Sequence, residues 1–246
     1  MRSDTFLQLD RVSVAGGDTT IVHDASLAVV KGEFHGLLGA NGAGKTSLLR
    51  LLYFDARPSA GRIRLMGRQQ DNWPRLDWAQ MVGVLVQGGG LLNGLRLRDI
   101  VEIGLNSSRN GRHRIGEALE IAGLSDIANR PAEHLSGGEL QRAFMAQLLA
   151  RDPELYVLDE PTNHLDLHYQ LILLDEVKRR GKTVLASLHD LSIAARYCDR
   201  VSVMDQGRIV AQGKTESILT PDRLAQTYRI AAHMDQGVLR VQGPLV

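Results

Sequence analysis

The 246-residue chain contains a single cysteine, Cys198, and therefore no internal disulfide; so few thiols fit a reducing compartment. It has no excess of either charge. Its 29 Lys and Arg against 28 Asp and Glu leave a formal net charge of +1. That argues against a strongly basic nucleic-acid binder and against an acidic tail. No apolar run reaches the length of about 18 residues that a membrane-spanning helix needs, so any work at a membrane calls for another chain as anchor. The opening MRSDTFLQLD lacks the basic-then-apolar layout of a secretory leader. Internal repeats and low-complexity tracts are also missing. The remaining composition, 43% hydrophobic and 23% charged, is that of a soluble globular protein. Its length suits one large domain or a domain with an inserted lobe.

Two kinds of apolar pattern are present. Phe6, Leu7, Leu9, Val12 and Val14, then Ile21, Val22, Leu27 and Val29, alternate with polar residues around Gly16-Gly17-Asp18. This predicts a small antiparallel sheet with a turn, to which RIRLMGR (62–68) adds a strand. FHGLLG (34–39), LYVLD (155–159) and TVLASLHD (183–190) lack alternation and suit strands buried on both faces. Helical patterns follow all three, the last through Leu191, Ile193, Ala194 and Ala195. Strand–helix repetition implies a mostly parallel sheet, with ligands gathered beyond the carboxyl ends of its strands. All three runs end there in reactive residues: a glycine loop, Asp159-Glu160 and His189-Asp190. Between about 88 and 150 the pattern turns helical, as in a lobe inserted into that sheet. From about 207, GRIVAQG opens a tail in which Thr220, Pro221 and Asp222 read as a cap, a first helical position and an acidic first turn.

GANGAGKT, Gly39 to Thr46, fits the phosphate-loop pattern. Backbone N–H groups of such a loop cradle phosphates, its lysine reaches the outer phosphates, and its hydroxyl takes Mg²⁺. The helix that follows adds the positive end of its dipole. An aspartate at position 159 can hold Mg²⁺ through water, and Glu160 beside it can orient or deprotonate an attacking water. His189 can donate to a γ-phosphate and sense its loss. Gln87 follows MVGVLV (81–86), another expected strand, where a glutamine can reach Mg²⁺ or the water, or simply lie on the surface. His164 and His168, four apart, form a metal pair only if they share a helix, and no third ligand is evident.

HLSGGELQR (134–142) is a second glycine-rich helix start. Ser136 and Glu139 have the spacing of a capping box, and Leu140, Phe144 and Leu148 mark one helix face. A cap does not need two glycines, which are poor in helix interiors. Gly137-Gly138 thus suggests close approach of something to bare backbone, or free N–H groups that take an anion.

Together these residues resemble the nucleotide-binding subunit of ABC transporters over nearly the whole chain. Gly39–Thr46 is similar to the Walker A loop, Gln87 to the Q-loop and Leu135–Glu139 to the signature motif. Leu155–Glu160 matches Walker B with its glutamate, Asn163–Asp166 the D-loop, and His189 the switch histidine. The resemblance implies an α/β fold: a RecA-like P-loop NTPase core of parallel sheet, with an N-terminal antiparallel β subdomain and an inserted helical subdomain. Residues of about 1–86 and 151–246 would form the core and β subdomain, and about 87–150 the helical signature subdomain.

The implied function is ATP hydrolysis coupled to transport, with ATP and Mg²⁺ as cofactors. The implied nucleotide-binding residues are Gly39, Ala40, Asn41, Gly42, Ala43, Gly44, Lys45, Thr46 and Ser47, with Ser136, Gly137, Gly138, Glu139 and Asp166. Glu160, His189 and Gln87 would be catalytic, and Thr46, Gln87 and Asp159 would hold the metal. The implied partners are a second copy of the chain, head to tail, and integral membrane permease subunits. A periplasmic or surface substrate-binding protein would act indirectly. The chain would sit peripherally on the cytoplasmic face of the membrane, with no nucleic acid involved. DEPTNHLDLHYQ, LHDLSIAARYCDRV and ILTPDRLAQTYRI resemble importer ATPases for ferric siderophores, haem and cobalamin, with zinc and manganese importers as neighbours. A soluble ABC ATPase of translation or iron–sulfur assembly is the rival, since TNHLD occurs in the translation class as well. A nucleotide-responsive module without hydrolysis would be expected to lack Glu160 or His189. Two departures stand out. No aromatic lies near Gly16, where the family stacks adenine, and Gly88-Gly89-Gly90 is unusually glycine-rich where the family meets its permease.

Overall fold

The computed structural model describes residues 5–86, 92–103, 105, 111–235 and 238–244. Its centre is a six-stranded sheet. From edge to edge run β10 (Arg208–Lys214), β9 (Arg200–Asp205), β3 (Phe34–Leu38), β8 (Thr183–Ser187), β7 (Leu155–Asp159) and β6 (Val82–Leu85). The five strands from β9 to β6 are parallel, and β10 turns back antiparallel at the edge. A second sheet, antiparallel, orders β2 (Thr19–Val30), β1 (Thr5–Gly16), β4 (Ala60–Leu65) and β5 (Arg68–Gln69).

The alternating and non-alternating runs take these places for a simple reason. In β7, successive side chains enter two different cores. Leu155 and Val157 pack with the antiparallel sheet and with α1 (Lys45–Arg50). Tyr156 and Leu158 pack on the opposite face with the helices. Both faces are apolar, so no polar position interrupts the run. In β1, Leu7, Leu9, Val12 and Val14 are buried between exposed or half-exposed positions, with Phe6 buried as well at the start of the strand, so from Leu7 on the sequence largely alternates.

After α2 (Arg75–Met81) and β6 the chain leaves the sheet for α3 (Leu97–Glu102), α4 (Gly111–Ile121) and α5 (Gly137–Arg151), and re-enters at β7. The face read from Leu140, Phe144 and Leu148 is only part of what α5 buries. Leu140 and Phe144 are half-buried, while Ala143, Met145, Ala146, Leu148, Leu149 and Ala150 are fully inside. Its C-terminal half has core on more than one side, so a single stripe does not describe it. The expected strand at 81–86 is shorter, because Met81 ends α2.

α6 (Leu167–Arg179) follows β7, and α7 (Leu191–Tyr197) follows β8. His164 precedes the Asp166 N-cap of α6, so His164 and His168 do not share a helix, and the helical pair is corrected on that ground. The segment read as a tail first completes the main sheet through β10. It continues as α8 (Thr215–Ile218) and α9 (Pro221–Tyr228), then β11 (Ile230–Asp235) and β12 (Val238–Pro244), which pair as a hairpin. Thr220 caps α9 as its residue type predicts, its hydroxyl accepting from Arg223 N–H at 3.4 Å. Among the described residues no helix is long and apolar enough to cross a membrane.

Leu158 is fully buried on the strand that carries Asp159. Leu158→Ala should cost about 2–5 kcal/mol, read as a lower urea midpoint with an unchanged slope.

Candidate functional site

The site forms where β3, β7 and β8 end side by side. Gly39 leaves β3 at φ 147°, and a Cβ there would lie 2.2 Å from the Met204 carbonyl oxygen at the end of β9. Only glycine lets the chain turn that tightly beside its neighbouring strand. Gly42 (φ 78°) and Gly44 (φ 98°) carry the loop round to the start of α1, where Leu48 N–H donates to the Gly44 carbonyl at 3.0 Å. Lys45 folds back over the loop, donating to the carbonyls of Gly39 at 2.8 Å and Ala40 at 3.1 Å. Burial pulls its ammonium below the ordinary lysine range, and the carboxylates of Glu160 and Asp159 pull the other way. A phosphate placed beside it would act in the same sense as those carboxylates.

The loop walls a cavity of about 790 Å³. Asn41 through Ser47 line it together with Ile21, Glu160, Asn163 and His189. Asp159, at the end of β7 and 1% exposed, accepts from the Ser187 hydroxyl at 2.6 Å and the Thr46 hydroxyl at 3.3 Å. Ser187 Oγ in turn accepts from Glu160 N–H at 2.9 Å. The register of β7 on β8, which pairs Asp159 with Ser187, makes this junction. Glu160 takes φ 50°, and its carboxylate meets His189 Nε2 and Asn163 Nδ2. A hydroxyl and a carboxylate oxygen this close are hard donors of the kind Mg²⁺ takes, together with water and phosphate oxygens. Thr46 and Asp159 therefore fit the ion.

The second glycine-rich start lies elsewhere. Ser136, Gly137, Gly138 and Glu139 do not line the cavity. Ser136 is the N-cap of α5. Its hydroxyl accepts from Glu139 N–H at 3.2 Å, and Glu139 Oε2 accepts from Ser136 N–H at 2.8 Å. That backbone donor, aided by the Ser136 hydroxyl and Arg130, holds the Glu139 carboxyl below its usual range. The capping-box reading is thus correct in full. The extra glycine has a cause within the same chain: a Cβ on Gly138 would sit 2.7 Å from the His164 carbonyl oxygen. Asp166, expected at a nucleotide, caps α6 here by accepting from Tyr169 N–H at 3.0 Å. Gln87 and Gly88-Gly89-Gly90 lie outside the described residues.

Three residues of the site were not singled out from sequence. Ser187 carries no motif, and only its place at the end of a buried run marks it. Asn163 stood as part of a loop, without a task for its side chain. Ile21 lies beside Gly16, its Cδ1 2.3 Å from where a Gly16 Cβ would be. It is 39% exposed and offers an aliphatic surface at the cavity.

Comparison with known proteins agrees with this geometry. The model of the ABC transporter family matches residues 22–163. The chain is 35% identical over 239 residues to a hemin import ATP-binding protein of Rhodopseudomonas palustris (strain HaA2), covering 92% of this chain and 91% of that one. It is 34% identical over 240 residues to the iron(3+)-hydroxamate import ATP-binding protein of Bacillus subtilis (strain 168), covering 93% and 89%. A solved structure of an ATP binding subunit of an ABC transporter superposes with a TM-score of 0.80 at 25% identity, covering 87% of this chain and 92% of that one. With relatives matched along almost their whole length and the nucleotide loop, acidic strand end and histidine in one cavity, the chain belongs to the ABC transporter family, among its ATP-binding proteins.

Proposed function

We propose that this chain is the ATP-hydrolysing subunit of an importer whose cargo is an iron-siderophore, haem or cobalamin type compound. The observation that carries the reading is the convergence of Lys45, Thr46, Glu160 and His189 on one cavity, with Asp159 buried behind Thr46 and bonded to it, while the capped start of α5 lies outside the cavity. The names of the hemin and iron(3+)-hydroxamate relatives support the cargo class.

The loop from Gly39 to Ser47 wraps the nucleotide phosphates with backbone N–H groups, and Lys45 turns from its own carbonyls to the outer phosphates. Thr46, Asp159 and Gln87 would hold Mg²⁺, which would supply charge neutralisation at the phosphates. Glu160 accepts a proton from the attacking water, and His189 donates to the γ-phosphate. Ile21 covers the base with aliphatic surface in place of an aromatic ring.

Ser136, Gly137, Gly138 and Glu139 serve a second copy of the chain. Two copies pair head to tail, and the α5 start of each completes the site begun by the other's phosphate loop. Asp166 lies on the same seam. The helical lobe of residues 87–150 transmits closure to permease subunits, which hold this chain peripherally at the cytoplasmic membrane face. A periplasmic or surface binding protein delivers cargo to those subunits. Nucleotide thus favours the closed pair, and its hydrolysis releases it.

Glu160→Gln should bind MgATP normally and turn over about 10²–10³-fold more slowly, measured as phosphate release beside nucleotide affinity. Wild-type turnover in that variant removes Glu160 from its role. Lys45→Ala and Ser136→Arg should each be inactive alone. Mixed and allowed to re-pair, they should regain hydrolysis, because one site of the mixed dimer has an intact loop and an intact partner. A mixture that stays inactive contradicts shared sites.

A further inference from the structure

Glu160 adopts a backbone conformation that side-chain-bearing residues rarely take, at φ 50°. Such a residue persists only where its surroundings over-determine it. Asn163 closes on it twice. Its backbone N–H donates to the Glu160 carbonyl oxygen at 3.1 Å, making a turn of residues 160–163. Its side-chain Nδ2 donates to Glu160 Oε2. The other carboxylate oxygen, Oε1, meets His189 Nε2 from the loop beyond β8. Each oxygen of the carboxylate therefore has a partner from a different segment, and Asn163 lines the same cavity as the phosphate loop.

We infer that Asn163 is a positioning residue for hydrolysis: its amide fixes the Glu160 side chain toward the phosphate cavity. This rests on the reading of Glu160 as the base. The physical ground is that a general base acts only when held within hydrogen-bond reach of the proton it takes, and a donor on one carboxylate oxygen fixes where the group points. The turn is itself tied down. Gln170 Nε2 donates to the carbonyls of Thr162 at 3.2 Å and Leu165 at 2.9 Å, so the segment on which Asn163 rides is anchored to α6. A serine or alanine at 163 would keep the backbone bond and lose the side-chain grip.

The charged and titratable groups around Glu160 are His189 beyond β8, Lys45 on α1 and Asp159 beside it on β7.

The test is steady-state MgATP hydrolysis by the chain, beside its urea midpoint, for wild type, Asn163→Ala, Asn163→Asp and Glu160→Gln. Asn163→Ala should lower kcat about tenfold, the order expected for one hydrogen bond to a charged group, and leave KM within about twofold and the urea midpoint unchanged. Asn163→Asp has the same size, lacks the donor and sets a like charge beside Glu160. It should lower kcat further. Wild-type kcat in both variants overturns the inference. So does a loss of kcat matched by a rise in KM or a fall in the urea midpoint, which marks a purely structural role. Glu160→Gln separates the two levels. If it is slow while both Asn163 variants behave as wild type, only the positioning role fails. If it turns over at the wild-type rate, the assignment of the base fails and the positioning role with it.

Discussion

A carboxylate almost wholly out of water has to be hydrogen-bonded, and this requirement at Asp159 organises the molecule. Burying it unpaired would cost several kcal/mol or neutralise it. The Ser187 hydroxyl at 2.6 Å and the Thr46 hydroxyl at 3.3 Å meet the need from two other elements. Ser187 can do so only if β7 and β8 keep their register, and Thr46 only if the loop after β3 places α1 above the sheet edge. One buried acid thus ties together three strand ends and a helix start. The same hydroxyl that satisfies Asp159 also receives the Glu160 amide, so structure and chemistry share an atom.

The division of labour between the two cores follows from the parallel sheet. Leu37, Leu48, Val157 and Leu185 belong to the core beneath the antiparallel sheet, whereas Leu38, Leu158 and Ala186 belong to the core beneath the helices. Adjacent residues of one strand therefore anchor different lobes. The cavity lies at the edge where both lobes meet the strand ends, where a ligand can touch loop, strand and helix at once.

Much of this was legible in the sequence because it is local. The phosphate loop, the capping box at Ser136 and Glu139, the cap at Thr220 and the buried runs of β3, β7 and β8 are contained in short windows. What escaped was long-range. β9 and β10 join the main sheet, but RVSVMD and GRIVAQGK carry no sign of which sheet they enter. The β11–β12 hairpin has exposed valines at 238 and 241 and only Ala232 and Leu239 well buried, too weak an alternation to announce strands. Ser187 and Asp159 are partners across 28 positions, and no periodicity encodes such a pair. The side chain of Asn163 was invisible for a different reason: its role depends on the unusual backbone of Glu160, which residue type does not foretell.

The contact between Gly138 and the His164 carbonyl reaches beyond packing. A methyl group at 138 must displace the backbone next to Asn163, and hence the turn that carries Glu160. If the start of α5 serves one nucleotide and Glu160 another, a single substitution at 138 perturbs both compartments together. Mutants at this glycine would then be poor instruments for dissecting which of two nucleotides is spent first, because no lesion there stays on one side of the pair.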